Sequence, residues 1–200
     1  MLLFTPSDLQ TILQAVSFAT LKHHGQVRKD QQHSPYATHP IRVAQTILEI
    51  GEVNDRALLV AAILHDTIED TGTKADEILE KFGKDVLGLV LEVTDNKSLE
   101  KIERKRLQVV HAPHLSISAK IIKLGDKLVN CHDMLDSPPA DWSLTRRQDY
   151  IQWAADVVHG MRGANHNLES TFDILLADAE QTLGFTIQPF ETIHQRPWAP

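Results

Sequence analysis

Eight residues in a row, Ala57 to Leu64 (ALLVAAIL), are apolar, and HDTIED, His65 to Asp70, follows them directly. A helix that is apolar on every side has no face to turn to water, so it belongs at the centre of a bundle. Asn54 or Asp55 supplies a cap for its start. This one segment demands a surrounding shell of amphipathic helices, and the rest of the chain supplies it.

Thr5-Pro6-Ser7-Asp8 is a helix-start signal, and Leu9, Ile12, Leu13, Val16 and Ala19 follow at helical spacing. The polar stretch Gly25 to Pro35 breaks that helix. His39-Pro40 opens a second, which Gly51 closes. Further helices are predicted over about 74–82, 84–94, 98–110, 116–135, 143–161 and 165–182, with Pro138-Pro139 as punctuation and Gly184 as a stop. No strand pair, repeat or low-complexity tract interrupts the pattern. The expectation is an all-α, single-domain helical bundle over residues 1–184, followed by an irregular tail, 185–200.

The charges of HDTIED pose an electrostatic problem. On a continuing helix His65 stacks over Glu69 and Asp66 over Asp70, which gathers three carboxylates at the negative end of the helix dipole. Either that end is a solvated terminus, or a cation sits among the acids. A divalent ion inverts the local electrostatics and removes the conflict. His39, fixed before Pro40, and Asp126, in the apolar run IIKLGDKL, are further ligand candidates. Two imidazoles and two carboxylates suit Mn, Fe, Co or Zn better than Ca.

Composition narrows the partners. The chain has 200 residues, a net charge of −7, 42% hydrophobic and 24% charged residues. That balance describes an ordered domain and argues against a general nucleic-acid binder. The lone Cys131 excludes an internal disulfide, and no apolar run reaches membrane-spanning length. A cytoplasmic protein with no membrane and no nucleic-acid partner is expected. The sequence leaves the oligomeric state open, a homodimer among the options.

The pattern H…HD…D, carried by His39, His65, Asp66 and Asp126, resembles the signature of the HD phosphohydrolase superfamily. RKD…PYATHPIRVA, AAILHDTIEDT and EVTDNKSLEKIERKRLQVVHAPHLSISAKIIKLGDKLVN resemble more particularly the hydrolase domain of RelA/SpoT proteins. Within that group the likeness is to the stand-alone small alarmone hydrolases, the metazoan SpoT homologs, over roughly residues 10 to 185. The resemblance implies an HD-type fold and a Mn²⁺-dependent hydrolase, with Zn, Fe or Co as substitutes. Such an enzyme removes the 3′-pyrophosphate of (p)ppGpp to give GDP or GTP plus pyrophosphate. It also implies His39, His65, Asp66 and Asp126 as metal ligands, with Glu69 and Asp70 as catalytic acids. Which of those two is the base stays open. NADPH phosphatase activity, also credited to the group, is the alternative, and a non-catalytic nucleotide-binding module the third reading.

An anionic nucleotide substrate needs cations in an acidic protein. Arg28 suits stacking on a base and Lys29 a phosphate. Lys97, Lys101 and Lys105 are expected on one helical face with Arg104 beside them, and Lys101 and Arg104 are favoured as phosphate contacts. Asn130, four residues after Asp126, points the same way and is expected at a ribose hydroxyl. Trp142, Arg146 and Tyr150 run at i, i+4, i+8; Arg146 and Tyr150 are taken as nucleotide contacts and Trp153 as core. Three segments depart from the family pattern: Gln31-Gln32-His33 replaces a glycine-containing turn, Gly125 replaces an alanine, and Cys131-His132 replaces a segment that often carries an arginine.

Overall fold

The structure, a computed structural model, describes residues 4–199. Ten α-helices and two short 3₁₀ turns account for the regular structure of those residues, and a single isolated bridge, Val27 with Pro35, is the only β pairing among them. The helices are α1 Pro6–Lys22, α2 Thr38–Glu49, α3 Arg56–Leu64, α4 Thr67–Asp70, α5 Ala75–Phe82, α6 Lys84–Val93, α7 Lys101–His111, α8 Ile117–Asp136, α9 Leu144–His159 and α10 His166–Leu183. No helix among the described residues is long and apolar enough to cross a membrane.

The start signals read from sequence act as such. Thr5 and Asp8 bond each other's backbone amides at the head of α1, with Pro6 in the first turn. The Asp55 carboxylate accepts the Leu58 amide at 3.0 Å, Ser116 caps α8, and Gly184 takes the left-handed conformation that ends α10.

Leu58 to Leu64 of α3 are all buried, and α1, α2, α6 and α8 pack around them. Each fully buried Leu, Ile or Val contributes about 1.5–3 kcal/mol, so this helix is the hydrophobic anchor of the fold. The second hub is α8, which touches α2, α3, α6, α9 and α10. Gly125 makes its approach to α2 feasible. A Cβ there would lie 2.8 Å from Ile47 Cγ1, so the position provides closeness between helices where the sequence suggests backbone freedom.

The stretch HDTIED is not one helix end. α3 stops at Leu64, and α4 starts at Thr67. His65 Nδ1 is 2.7 Å from the Ala62 carbonyl and the Thr67 hydroxyl donates to the Leu64 carbonyl at 2.7 Å, so side chains take acceptors at the end of α3. The chain turns between the helices at a corner, and Asp66 still stands one turn before Asp70, whose amide donates to the Asp66 carbonyl at 2.8 Å.

The tail also differs from expectation. Residues 185–189 lack regular structure, but a 3₁₀ helix follows at Phe190–Gln195, and Trp198 is 4% exposed. In the 31–33 turn, His33 itself adopts φ +50°, the left-handed region that a glycine occupies at no steric cost.

Candidate active site

Three separate pieces of chain bring the histidines and aspartates together. His39 sits in the first turn of α2, His65 and Asp66 at the corner after α3, and Asp126 midway along α8. His39 Nε2 lies 3.1 Å from Asp126 Oδ1 and 3.8 Å from Asp66 Oδ2. His65 Nε2 lies 3.2 Å from Asp66 Oδ2 and 3.8 Å from Asp126 Oδ1. One ligand atom from each of His39, His65 and Asp126 falls within 4.8 Å of the others.

His65 is the sharpest indicator of a cation. Its ring is buried, its Nδ1 faces the Ala62 carbonyl, and its Nε2 has no hydrogen-bond partner although two carboxylates stand beside it. With Nδ1 as the donor, the lone pair of Nε2 points into the cluster, the arrangement by which a backbone carbonyl orients a ligating imidazole. Burial acts to lower the pKa of His65, but the Asp66 and Asp126 carboxylates outweigh it and push it up to about 9. At His39, burial dominates and lowers the pKa despite Asp126. The site therefore attracts positive charge and offers imidazole nitrogen and carboxylate oxygen, a donor set that could hold a divalent metal.

Polar neighbours fix the acids. Tyr36 donates its hydroxyl to Asp66 Oδ2 at 2.6 Å and stands 3.3 Å from Asp70 Oδ2. Asp126 accepts from Asn130 at 2.5 Å and from the buried Lys127 at 3.1 Å. Burial raises the Asp126 pKa, but Lys127 and the histidines overcome it and hold the carboxyl well below its usual range.

Glu69 and Asp70 line the same cavity, of about 220 Å³, one short turn beyond the ligand cluster. Glu69 accepts the Asp95 amide at 3.0 Å, and its pKa is raised by burial with that amide opposing. Arg104 lies 3.8 Å from Glu69, while Lys97 pairs with Asp70. Here the sequence reading needs correction. Lys97 precedes α7 and does not share a helical face with Lys101 and Lys105; it is drawn to the acids of α4.

A second cavity, about 550 Å³, adjoins the first through Asp95, Arg104 and Gln108, which line both. Lys29, Lys101, Lys105, Arg146 and Tyr150 line this groove. Arg146 lies over the Trp142 ring at 4.1 Å and Lys101 at 5.9 Å. Trp142 precedes α9 and does not form its first turn; the spacing with Arg146 and Tyr150 nevertheless brings the three side chains together. Trp153, expected as core, is 5% exposed and also borders the groove. Arg28 bonds Asn130 at 3.0 Å and Asp133 at 2.7 Å, so it stands between the metal-side cavity and a smaller one shared with Lys29.

Sequence reasoning left Tyr36, Asp95, Lys123, Lys127 and Trp198 without roles. Tyr36 and Lys127 lie inside the quoted motifs PYATHPIRVA and KLGDKLVN, and a polar side chain close in sequence to His39 and Asp126 was the available signal. Trp198 had none, because nothing local says where a tail folds back.

The HD domain family matches residues 15–161. A *Xenopus tropicalis* protein, guanosine-3′,5′-bis(diphosphate) 3′-pyrophosphohydrolase MESH1, is 50% identical over 172 residues, 86% of this chain and 96% of the relative. The *Homo sapiens* protein of the same name is 46% identical over 177 residues, 88% of this chain and 99% of its own. The solved structure of a metazoan ortholog of SpoT, described as hydrolysing ppGpp with a role in starvation responses, superposes with a TM-score of 0.83. It is 41% identical and is covered to 98%, against 89% of this chain. With the helices, the His/Asp cluster and these relatives in agreement, the chain belongs to the HD-domain family, in the group of the MESH1 and SpoT-type proteins.

Proposed function

We propose that the protein hydrolyses the 3′-pyrophosphate of guanosine 3′,5′-bis(diphosphate) and of its 5′-triphosphate counterpart, releasing pyrophosphate and GDP or GTP. The observation that carries this reading is the joined pair of cavities. One is acidic and holds His39, His65, Asp66, Asp126, Glu69 and Asp70; the other is cationic and aromatic. A nucleotide with phosphates at both ends matches that division. The names of the relatives point to the same reaction.

His39, His65, Asp66 and Asp126 would hold the metal, which we take to be Mn²⁺. When bound, a divalent ion supplies polarisation of a phosphoryl oxygen and lowers the pKa of water toward ~7. Glu69, kept partly protonation-prone by burial, accepts the proton of the attacking water. Asp70, tied to Lys97 and Tyr36, orders the water on the departing side. Lys101, Arg104 and Arg146 meet phosphates, Arg28 and Lys29 the base and an adjacent phosphate, and Asn130 and Tyr150 the sugar. We read residues 1–184 as the hydrolase domain and 185–200 as its tail, of which the described residues through 199 dock upon the domain. We place the protein in the cytoplasm, where the lone Cys131 stays reduced.

Purified protein with Mn²⁺ and a panel of ppGpp, pppGpp, NADPH and 5′-nucleotides tests the proposal. Pyrophosphate from ppGpp is the expected product. Its absence refutes the reading, and phosphate released from NADPH would favour the 2′-phosphatase activity, which the same metal site can serve.

A further inference from the structure

The C-terminal segment lies beyond the stretch matched by the HD domain, yet it builds part of the groove wall: Pro197 and Trp198 line it beside Lys105 and Trp153. The segment is fixed by a buried clasp. Trp198 Nε1 donates to Asp156 Oδ2 at 2.8 Å, and Arg196 Nε lies 2.9 Å from the same oxygen. Asp156 is 2% exposed. Gln152 Nε2 donates to Asp156 Oδ1 at 3.3 Å and to the Gln188 carbonyl at 3.2 Å, while the Gln188 amide donates back to Gln152 Oε1 at 2.7 Å. Arg196 Nη2 closes the turn on the carbonyls of Gln188 and Pro189 at 2.7 and 3.1 Å. Both oxygens of Asp156 accept a hydrogen bond, while Arg196 Nε faces Oδ2 as a charge without hydrogen-bond alignment, and Arg196 is anchored instead through Nη2.

The clasp sets the position of one cation. Lys105 Nζ lies 4.7 Å from the Trp198 ring centre and 4.8 Å from that of Trp153. Two rings facing one ammonium hold it electrostatically while limiting its water. Among the described residues no carboxylate lies within ion-pair distance of Lys105, whereas Lys97, Arg104 and Lys127 each have one. Burial, with Lys101 next and then Lys127 and Arg146, lowers the Lys105 pKa to about 8; Asp149 opposes. An ammonium kept half-desolvated without a counter-ion is matched by an anion entering the groove.

We infer that Trp198 is a positioning residue for the substrate: it holds the Lys105 ammonium into the groove, where Lys105 binds the 5′-phosphates of a nucleotide whose 3′-pyrophosphate occupies the metal-side cavity. This rests on the nucleotide reading proposed above. It assigns part of the phosphate recognition to a tail outside the matched domain.

GTP, which has 5′-phosphates and no 3′-pyrophosphate to cleave, is the probe, titrated calorimetrically into the full-length native, Trp198→Ala, Trp198→Phe, Lys105→Met and double Trp198→Ala/Lys105→Met proteins. Trp198→Ala and Lys105→Met are each expected to weaken GTP binding about tenfold, and Trp198→Phe to stay within about threefold of native. The double variant is expected to bind no more weakly than Lys105→Met, because Trp198 acts through Lys105. Native affinity in Lys105→Met overturns the inference even if Trp198→Ala does not fold. Losses that multiply in the double variant, or no GTP binding by the native protein, overturn it too. A native protein that binds GTP in this Trp198-dependent way but releases no pyrophosphate from ppGpp refutes the proposed reaction and leaves the positioning role standing. Pyrophosphate release with GTP binding indifferent to both residues refutes the positioning role alone.

Discussion

His39 Nε2 and Asp126 Oδ1 stand 3.1 Å apart although 87 residues separate them in the chain. That contact ties α2 to α8 and, with the corner at His65-Asp66, gathers the proposed metal ligands at one point. Replacing Asp126 by Asn keeps the side-chain volume and removes the charge. Asp126→Asn is expected to lose the divalent metal, whereas Glu69→Gln keeps it and loses about 10²–10⁴-fold in turnover. Elemental analysis beside steady-state rates separates the two; native metal stoichiometry in Asp126→Asn would contradict the ligand assignment. Both Asp126→Asn and Asp126→Ala take the counter-charge from the buried Lys127, at a cost of up to about 3–5 kcal/mol, but Asn keeps an oxygen to which Lys127 can donate and is the better test of metal binding.

Tyr36 connects Asp66, a proposed metal ligand, to Asp70, a proposed catalytic acid, through one hydroxyl. Tyr36→Phe leaves the ring against His23, at 4.8 Å between centres, and deletes a hydrogen bond to a carboxylate. The expected cost is about 1.5–3 kcal/mol in urea unfolding, with weaker metal retention. A stability unchanged to within a few tenths of a kcal/mol would show that the Asp66 carboxylate does not depend on this bond.

Gly125 faces Ile47 across the α2–α8 seam. Gly125→Ala gains roughly 1 kcal/mol of helix propensity but overpacks the seam by about 1–3 kcal/mol, for a small net loss. Ile47→Ala, which removes both the γ1 and δ1 carbons that a Cβ at 125 would meet, is expected to relieve the overpacking, so that the two changes couple favourably in a double-mutant cycle. Simple additivity of the two unfolding free energies would mean that the seam adjusts elsewhere.

Lys105 links stability to pH. Its pKa in the folded protein is lowered to about 8 from 10.5, chiefly by burial, so between those values the unfolded chain binds more protons than the native one. Its contribution therefore improves as pH rises through that window, and its penalty is fully present below about pH 8. The charged groups around it are Lys101 on the same helix, Arg146 and Asp149 on α9 and Lys127 on α8. Lys105→Met is expected to raise Tm at pH 7 and to flatten the rise of Tm between pH 8 and 10. A lower Tm at pH 7 in that variant would show that the two tryptophan rings more than compensate for the lost water.

The helical architecture was legible because apolar spacing and caps are local properties: Thr5, Asp55 and Ser116 start the helices the spacing predicts. The site was legible in part. His65, Asp66, Glu69 and Asp70 are contiguous, and their charge demanded an explanation. His39 beside Pro40 and Asp126 in an apolar run were candidates from their local context, which the motif resemblance joined to His65-Asp66, and the structure supplies the distances that bring them to the same point.

What sequence could not yield depends on contacts between distant segments. The break between α3 and α4, the drift of Lys97 to Asp70, and the need for glycine beside Ile47 arise from packing and from side-chain bonds to particular carbonyls. The fate of the tail is the clearest case. Residues 185–199 carry no helical period, so the sequence by itself describes only a segment without a strong local preference. The buried carboxylate of Asp156 decides where that segment goes, because Arg196 and Trp198 satisfy it there. Local sequence thus determined which segments are helical and which residues bear charge; tertiary structure decided which charges meet, since desolvation and counter-charge act through space and not along the chain.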